Sequence, residues 1–198
     1  MTRSSAPRPK TKRGVERRAK LLAAAEQVIG EKGFAAASIA DITRAADTAL
    51  GTFYIYFPSK EALFRELVED MGRATRTQAT EQIAGAPNRL EAERAGLEAY
   101  LRVVRDRPLQ YRIVEEARFV DPEAYRTYYT EFGKAYADQL EQAALKGEIS
   151  QGDAEVRAWA LMGIAKALGE RYVLWDDNVE IDRVVAEAHK LICNGLAP

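Results

Sequence analysis

Residues 38–64 read SIADITRAADTALGTFYIYFPSKEALF and contain the most specific structural signals of the chain. The first part of this stretch predicts a short helix, because Ser38 can cap a helix N-terminus and Asp41 suits the positive end of the helix dipole. Ile42 and Ala46 follow at helical spacing and are expected to face inward. The stretch therefore begins with a capped, amphipathic helix.

A second short helix is predicted over about Ala49–Tyr56. Phe57 ends it, because the residue before a proline is biased away from the helical region, and Ser59 can cap the next helix. Upstream, an apolar stripe over residues 21–29 predicts a longer helix that stops near Gly33. Three helices with a tight turn between the second and the third are the ingredients of a DNA-binding helix-turn-helix.

The order of these residues closely resembles the signature of the TetR/AcrR family of transcriptional regulators. The turn, the Gly-Thr-aromatic-Tyr core and the Tyr-Phe-x-Ser-Lys exit occur in register at residues 45–47, 51–54 and 56–60. The resemblance covers about residues 15–66; beyond them only the number and length of the helices are similar. It implies an all-α fold, with an N-terminal three-helix DNA-binding domain followed by a larger helical domain for ligand binding and dimerisation.

Four positions in and after the turn depart from the family pattern. The family usually has glycine, an apolar residue and a small polar cap where this chain has Asp47, Thr48 and Ala49. Aspartate tolerates a positive φ better than most residues and hydrogen-bonds locally, so the turn stays feasible. Leu50 replaces a residue that is often polar or basic. It can contact a thymine methyl group but cannot donate a hydrogen bond, so the operator sequence does not follow from the resemblance.

The third helix of the motif presents most of the candidate DNA-binding side chains. Phe53 and Phe57 lie one turn apart and are expected to be buried, which leaves Thr52, Tyr54 and Tyr56 pointing more outward. Exposed tyrosines beside a basic arm favour a bound partner, and packing against the helix behind is the alternative. The candidate DNA-binding residues, which the family resemblance also implies, are Arg44, Leu50, Gly51, Thr52, Tyr54, Tyr56 and Lys60.

The chemistry of these residues sets their expected roles. Thr52 and Tyr54 can reach base edges or phosphates, whereas Tyr56 and Lys60 are expected at backbone phosphates. Gly51 lets the helix surface come close to DNA or to a neighbouring helix, and the sequence does not choose between these two roles.

The charges are distributed unevenly along the chain. Residues 1–20 hold eight basic residues against one acidic residue, a net charge of +7, although the whole chain has a net charge of −1. Residues 1–13 are expected to be a flexible basic arm. Such an arm favours a polyanionic partner such as double-stranded DNA, with a merely solubilising tail as the alternative. Residues 67–198 carry about −6, so DNA would repel them and their partner is expected to be another molecule.

The composition gives no indication of a membrane or secreted protein. No run approaches the roughly 18 apolar residues of a membrane helix, and the basic N-terminus lacks the apolar segment of a secretory signal. The single cysteine, Cys193, cannot form an intrachain disulfide. We therefore expect a soluble, cytoplasmic protein without a membrane partner.

After Lys60 almost every segment predicts a helix. The expected helices lie near residues 60–84, 88–105, 109–119, 122–146, 153–175 and 180–194. Together with the three N-terminal helices they make about nine, which is an all-α architecture. The expected domains are a flexible basic arm at residues 1–13, the helix-turn-helix domain at residues 14–60, and the helical ligand-binding and dimerisation domain at residues 61–198.

The last two predicted helices carry apolar stripes that suit a homodimer. Helix 153–175 also has a stripe of small residues, Ala160, Gly163 and Ala167, along which another helix could approach closely. Helix 180–194 repeats the apolar pattern. Two such helices, doubled by a two-fold axis, form a four-helix interface, and closure of the monomer core alone is the alternative.

Aromatic residues gather on the predicted helix 122–146. A stripe of this kind is either core or the wall of a ligand pocket, because several buried phenols need partners or an open cavity. The candidate ligand-binding residues are Tyr100, Tyr111, Glu115, Phe119, Tyr125, Tyr128, Tyr129, Phe132, Trp159 and Met162. These walls suit a small apolar or aromatic effector. An acyl-coenzyme A is one candidate, although no phosphate-binding loop is visible to hold its nucleotide.

The sequence offers no convincing catalytic site. His189 and Cys193 lie one turn apart, but both flank the apolar face of the last helix, where a structural role is more usual. No cluster has metal-ligand spacing, so we expect neither an enzyme nor a metal or cofactor. The predicted function is that of a ligand-responsive repressor of a pseudo-palindromic operator. The alternative is a dimeric small-molecule-binding protein with weak or lost DNA recognition, which Asp47, Ala49 and Leu50 would favour.

Overall fold

A computed structural model describes Pro9, residues 11–176 and residues 179–196. The described part is helical and has no strand, so the predicted all-α fold is confirmed. Most of the predicted basic arm, and the predicted breaker at Asp177-Asn178, lie outside the described residues. The helices are α1 (Lys12–Lys32), α2 (Ile39–Ala45), α3 (Leu50–Tyr56), α4 (Lys60–Ile83), α5 (Arg89–Asp106), α6 (Pro108–Val120), α7 (Pro122–Leu145), α8 (Ala154–Gly169) and α9 (Ile181–Leu196). A π-helical turn at Glu170–Leu174 continues α8.

Side-chain caps explain where several helices begin. Thr11 and Asn88 each accept a hydrogen bond from a backbone amide three residues on, and Asp153 does the same for α8. These caps satisfy amides that have no partner within the helix. Ser38 caps α2, as predicted, and Asp41 adds the reciprocal hydrogen bond that makes a full capping box.

The turn between α2 and α3 has the conformation that its aspartate allows. Asp47 has a φ of 49° and is the one non-glycine residue with positive φ among the residues described. Aspartate bears this left-handed conformation better than most side chains do. The Thr48 amide donates to the Thr43 carbonyl at 2.9 Å, which closes the turn. The departure from glycine at this position is therefore compatible with a helix-turn-helix.

The chain divides into two compact units. Unit 1 comprises Met1–Met71 and Leu109–Tyr128, and unit 2 comprises Gly72–Pro108 and Tyr129–Pro198. The predicted domain boundary between residues 60 and 61 stays a prediction about function. The compact unit that holds the helix-turn-helix is larger than that domain, because it includes α6.

Unit 1 has a core of aromatic and aliphatic side chains from its first four helices and α6. Within it Phe53 and Phe57 are sealed from solvent, as predicted, together with Ile42 and Phe64. Helices α1 and α6 approach closely at Gly30, where an added Cβ would stand 2.6 Å from the Cβ of Leu109. Burial of this order contributes roughly 1.5–3 kcal/mol per large apolar side chain. The core thus anchors the short helix α3 from behind.

Unit 2 is built around α5, with α7, α8 and α9 against it. One core cluster includes Leu97 and Leu101 of α5 with Val184 and Val185 of α9, and a second joins α7 and α8. The apolar stripe of α9 is therefore largely used inside the unit. Among the described helices, none is both long enough and apolar enough to cross a membrane.

Candidate DNA-binding site

Helix α3 has one sealed edge and one open edge. Successive residues in a helix are turned by about 100°, so Gly51 and Ile55 lie opposite the buried pair Phe53 and Phe57. Ile55 is 66% exposed, and Tyr54 is 54% exposed. An added Cβ on Gly51 would meet no atom within 4 Å. The edge of α3 formed by Leu50, Gly51, Tyr54 and Ile55, here called the open edge, is uncovered.

The predicted residues of α3 do not all stand on this edge. Tyr54 does, and its ring packs edge-on against Phe53 with the centroids 5.4 Å apart. Thr52 and Tyr56 are half-buried on the flank. The Tyr56 hydroxyl points to the start of α1, since it lies 3.7 Å from where a Cβ on Gly14 would stand. The three hydroxyl-bearing residues are thus not sealed inside the protein, but only Tyr54 is fully presented.

Sequence reasoning missed Ile55, the most exposed large side chain of α3. The exposure of Ile55 could have been predicted, because two buried phenylalanines four residues apart define the inward side of the helix, and the outward side lies about 180° around the axis from them. That direction passes through Gly51 and Ile55. The prediction followed mainly the hydroxyl-bearing side chains of this helix and did not consider Ile55.

Helix α2 presents one arginine, as predicted. Arg44 has a side chain that is 76% exposed, and its Nη1 lies 3.2 Å from Oδ1 of Asp41. Asp41 also accepts from Ser38 and pairs with Lys32 at 3.2 Å. The hydrogen bond from the Ser38 side chain is the first cause that lowers the pKa of Asp41, to about 2, and Lys32 adds to it. Asp41 is therefore ionised at neutral pH and holds Arg44 at the surface beside α3.

Lys60, which is predicted to contact a backbone phosphate, makes polar contacts within unit 1. Its Nζ donates to the carbonyl oxygens of Phe34 and Ala37, each at 2.7 Å, and lies 4.2 Å from the centroid of the Phe34 ring. An ammonium group has three N–H donors, so at most one remains for another acceptor. The side chain is half-buried within unit 1. Its role as a phosphate ligand therefore stays a prediction, with a competing structural role now visible.

An open groove of about 480 Å³ lies beside the open edge of α3. Tyr54 contributes one wall, and residues 35–39 and 58–61 contribute the others. The groove runs along backbone at the beginnings of α2 and α4, where amide groups point outward. It is a concave surface at the place where the sequence predicts contact with DNA.

Comparison with known proteins agrees with this geometry. Residues 21–67 match the sequence profile of the bacterial regulatory proteins of the tetR family. The HTH-type transcriptional regulator YvdT of Bacillus subtilis (strain 168) is 54% identical over 52 residues, which are 26% of this chain and 27% of YvdT. The resemblance to TetR-family regulators is thus confirmed over residues 21–67. A second regulator of that organism, YdgC, is 28% identical over 94% of this chain and 95% of its own length.

Solved structures of TetR-family regulators share the fold of this chain. The TetR-family transcriptional regulator ECA1819 from Pectobacterium atrosepticum superposes with a TM-score of 0.74 at 25% identity, covering 96% of this chain and 99% of that one. FadR from Bacillus subtilis, solved in complex with stearoyl-CoA, superposes with a TM-score of 0.78 at 20% identity, covering 89% and 98%. The likeness to FadR is one of fold.

The predicted ligand-binding residues of this chain fall into both units. Tyr111, Glu115, Tyr125 and Tyr128 belong to unit 1 and are half-buried. Phe119 also belongs to unit 1, but it is 82% exposed and does not line an enclosed pocket. A side chain at the outer face of α6 has no neighbouring helix to cover it, which the spacing of aromatic residues could not show.

Within unit 2 the structure brings several of the predicted residues together. Trp159 and Met162 of α8 pack on Gly133 of α7, because an added Cβ there would lie 3.4 Å from the indole nitrogen and 3.6 Å from the sulfur. Lys166 lies 5.2 Å from the centroid of the Tyr129 ring. Phe132 and Tyr100 are half-buried in the same unit. The contact line between α7 and α8, here called the aromatic seam, is the part of the predicted pocket that the structure assembles.

Tyr136 has a structural partner rather than an open cavity. Its hydroxyl bonds the carboxylate of Glu93, which also accepts from Nε of Arg89 at 2.6 Å. Burial first, and then the neighbouring carboxylate, raises the pKa of Tyr136 well above its usual value. Gln139 accepts from the other side of the Arg89 guanidinium at 2.9 Å. This network satisfies a buried ion pair, which is the condition for keeping one in a core.

The pair of His189 and Cys193 has a packing role between two helices. The Nε2 of His189 lies 2.9 Å from the carbonyl oxygen of Leu90 and 3.3 Å from the Cys193 sulfur. A carbonyl can only accept, so Nε2 carries the proton and cannot act as a base towards the thiol. The contact ties α9 to α5.

Helix α8 keeps an uncovered stripe. Trp159 is 44% exposed, and Ala160, Gly163 and Ala167 are exposed along the same side. An added Cβ on Gly163 would meet no atom within 4 Å. On α9 the large apolar residues are buried, apart from Leu191, which is 65% exposed. The small-residue stripe predicted for dimerisation is thus open in the single chain.

Proposed function

We propose that this chain is a TetR-family transcriptional regulator, a homodimeric repressor that binds a pseudo-palindromic operator in double-stranded DNA and is released by a small apolar or aromatic effector. It would act in the cytoplasm, where bacterial DNA lies. One observation carries the proposal, namely the open edge of α3. Tyr54 and Ile55 are held exposed on a helix that Phe53 and Phe57 anchor from behind, and large side chains fixed in this way suit a macromolecular partner.

The open edge of α3 is proposed to enter the major groove. Leu50 and Ile55 can pack on thymine methyl groups, and Tyr54 can add a hydrogen bond from its hydroxyl. Gly51 lets the helix backbone come close to the bases, because no side chain intervenes. These contacts would specify sequence mainly through shape and methyl groups.

The flanks of the motif are proposed to bind phosphates. Thr52 and Tyr56 have hydroxyls at the edge of α3, and Arg44 offers an exposed charge from α2. Contacts of this kind fix the position of the protein on DNA without reading bases. They also make the affinity depend on salt.

Dimerisation is proposed to use the uncovered stripe of α8, with α9 beside it. Small residues let two helices approach closely, and a two-fold axis makes the stripe complementary to itself. The axis would place two copies of α3 roughly 34–36 Å apart, the distance between successive major grooves on one face of DNA.

The aromatic seam is proposed as the effector site. Tyr129 and Phe132 of α7, with Trp159 and Met162 of α8, offer an apolar lining in unit 2. FadR from Bacillus subtilis, which shares the fold, is described in complex with stearoyl-CoA, and this supports acyl-CoAs as the first effectors to test. To release DNA, the effector must favour the non-binding state by a few kcal/mol.

The test is DNA binding by the full-length protein, measured by fluorescence anisotropy on the DNA that flanks its own gene. Tyr54→Ala should lower the affinity at least about tenfold, because it removes a proposed base contact, while helicity and dimerisation persist. Leu145→Ala is the matched control, since Leu145 is 70% exposed on α7 and should not matter. If the parent protein shows no salt-sensitive, sequence-selective binding, the alternative of lost DNA recognition holds.

The effector is tested separately by thermal shift with stearoyl-CoA, isovaleryl-CoA and aromatic acids. A true effector raises the Tm by mass action and also lowers the affinity for DNA. A compound that raises the Tm but leaves DNA binding unchanged would contradict its role as the effector.

A further inference from the structure

Phe34 lies in the turn between α1 and α2 and is held on both sides. From one side, Lys60 Nζ donates to the Phe34 carbonyl at 2.7 Å and lies 4.2 Å from the centroid of its ring. From the other side, the Phe34 amide donates to both carboxylate oxygens of Glu116, at 2.8 and 2.9 Å. The ring itself packs edge-on against Phe64, with centroids 4.9 Å apart. All these residues belong to unit 1.

Lys60 also holds Ala37, the residue directly before the N-cap of α2. Lys60 Nζ also donates to the carbonyl of Ala37 at 2.7 Å, and Ser38 follows directly as the N-cap. One ammonium group therefore binds two carbonyl oxygens that lie three residues apart within this turn. The turn decides where α2 begins, and α2 leads to α3 through the short turn at Asp47.

We propose that Lys60 and Glu116 form a clamp on Phe34 that fixes the orientation of α2 and α3, so that both are positioning residues for DNA binding. This proposal rests on the proposed DNA-binding function. Glu116 lies 82 residues from Phe34 in the sequence. Its side chain is a carboxylate, which repels a phosphate, so Glu116 cannot itself be a phosphate ligand. Lys60 uses two of its three N–H donors for hydrogen bonds within the protein, so its proposed effect on DNA binding comes from holding the turn in place.

Substitutions at position 60 separate the clamp from a phosphate contact. Lys60→Met removes the charge, and Lys60→Arg keeps it. A guanidinium binds phosphate at least as well as an ammonium, but its planar fork does not fit a compact site between two carbonyls and a ring. A clamp is therefore lost in both variants, whereas a phosphate ligand is lost only in Lys60→Met.

The experiment measures operator affinity by fluorescence anisotropy over a series of salt concentrations. The proposal expects Lys60→Met, Lys60→Arg and Glu116→Gln each to lower the affinity about tenfold, since a hydrogen bond to a charged group is lost. It expects the salt slope of Lys60→Met to stay within about half a unit of the parent, because removing a phosphate contact would reduce the slope by about 0.9. The double variant Lys60→Met/Glu116→Gln should be non-additive, as for groups that hold one residue.

Ile113→Val controls for loss of stability, because Ile113 is fully buried in α6 and its side chain has no polar group that could hold the turn. All measurements are made well below the Tm, and the exchange of the Phe34 amide with solvent is followed in parallel. Faster exchange in Glu116→Gln and Lys60→Arg, with weaker DNA binding than Ile113→Val, supports the clamp.

Two results would overturn the proposal in distinguishable ways. Parent-like DNA binding by Lys60→Arg, with a reduced salt slope in Lys60→Met, makes Lys60 a phosphate ligand and ends the clamp alone. A parent protein that binds no operator DNA ends the proposed function, and the clamp with it.

Discussion

The Nε of Arg65 lies 2.6 Å from Oδ2 of Asp121, so α4 is paired with the residue that caps α7. The other carboxylate oxygen of Asp121 accepts from the Ala124 amide at 3.1 Å. Burial acts to raise the pKa of Asp121, but the hydrogen bonds from Arg65 and Ala124 outweigh it, and the net pKa is lowered. One side chain thus stabilises both an ion pair and a helix start.

Asp121→Asn should lower the free energy of unfolding by about 1–2 kcal/mol at pH 7, because the charge that both donors prefer is lost. Since the folded pKa is depressed, the contribution is present above the usual aspartate pKa of about 3.9 and is lost as the pH falls below it. Urea unfolding of the parent and of the variant at pH 7 and at pH 3 measures the loss of unfolding free energy and its dependence on pH. Glu123→Gln is the control, because Glu123 lies 3.9 Å from Arg65 and is exposed. An equal difference at both pH values would contradict this account.

The capping box of α2 gives a second expectation. Ser38→Ala should cost about 1 kcal/mol of stability, the usual value for an N-cap, and should weaken DNA binding because α2 frays. With the pKa of Asp41 at about 2, its part of the box persists at neutral pH and is lost as the pH falls from about 4 to 2. Unfolding by urea and helicity by circular dichroism are the measurements. Thr127→Ala, exposed on α7, should change neither.

Ile55 should read a thymine methyl group in the operator. Ile55→Ala is expected to lower the affinity about fourfold, since burying one methylene-sized group contributes about 0.8 kcal/mol. Replacing single thymines by uracil tests this directly, because uracil lacks only the methyl group. At the contacted position, the replacement should weaken the parent but not Ile55→Ala. Equal weakening of both proteins at every position would remove Ile55 from the base contacts.

Gly163→Leu should break the proposed dimer while leaving the subunit folded. The single chain has open space at this position, because a Cβ added on Gly163 would meet no atom within 4 Å. In a dimer packed on the small-residue stripe, overpacking of roughly 1–3 kcal/mol would occur twice across the axis and raise the dimer Kd at least about tenfold. Sedimentation equilibrium measures this. Gly85→Leu, also at an open position, is the control, and an unchanged Kd in Gly163→Leu would move the interface elsewhere.

Much of the fold followed from local sequence signals. Ser38 and Ser59 mark helix starts, Phe57 ends α3 before a proline, and the buried pair Phe53 and Phe57 orients that helix. These signals act over a few residues, so a single sequence reveals them. Asp47 adopts the positive φ that its side chain permits, which kept the helix-turn-helix prediction correct despite the missing glycine.

The remaining features depend on contacts between distant segments. Glu116 meets Phe34 across 82 residues, and Lys60 meets two carbonyls whose directions no pattern encodes. For the same reason α6 joins unit 1, although the sequence assigned it to the second domain. Phe119 was predicted to line a pocket because it is aromatic, but its exposure depends on which helices pack beside it.

The tight crossing of α1 and α6 limits how this protein can evolve. A Cβ on Gly30 would stand 2.6 Å from the Leu109 Cβ and 3.3 Å from the Leu109 Cα, so trimming the leucine alone leaves too little room. In any lineage that keeps this crossing, a side chain gained at position 30 must be accompanied by a glycine or a displaced backbone at position 109. The two sites should therefore drift together, and such covariation would be visible in an alignment of descendants without any structure in hand.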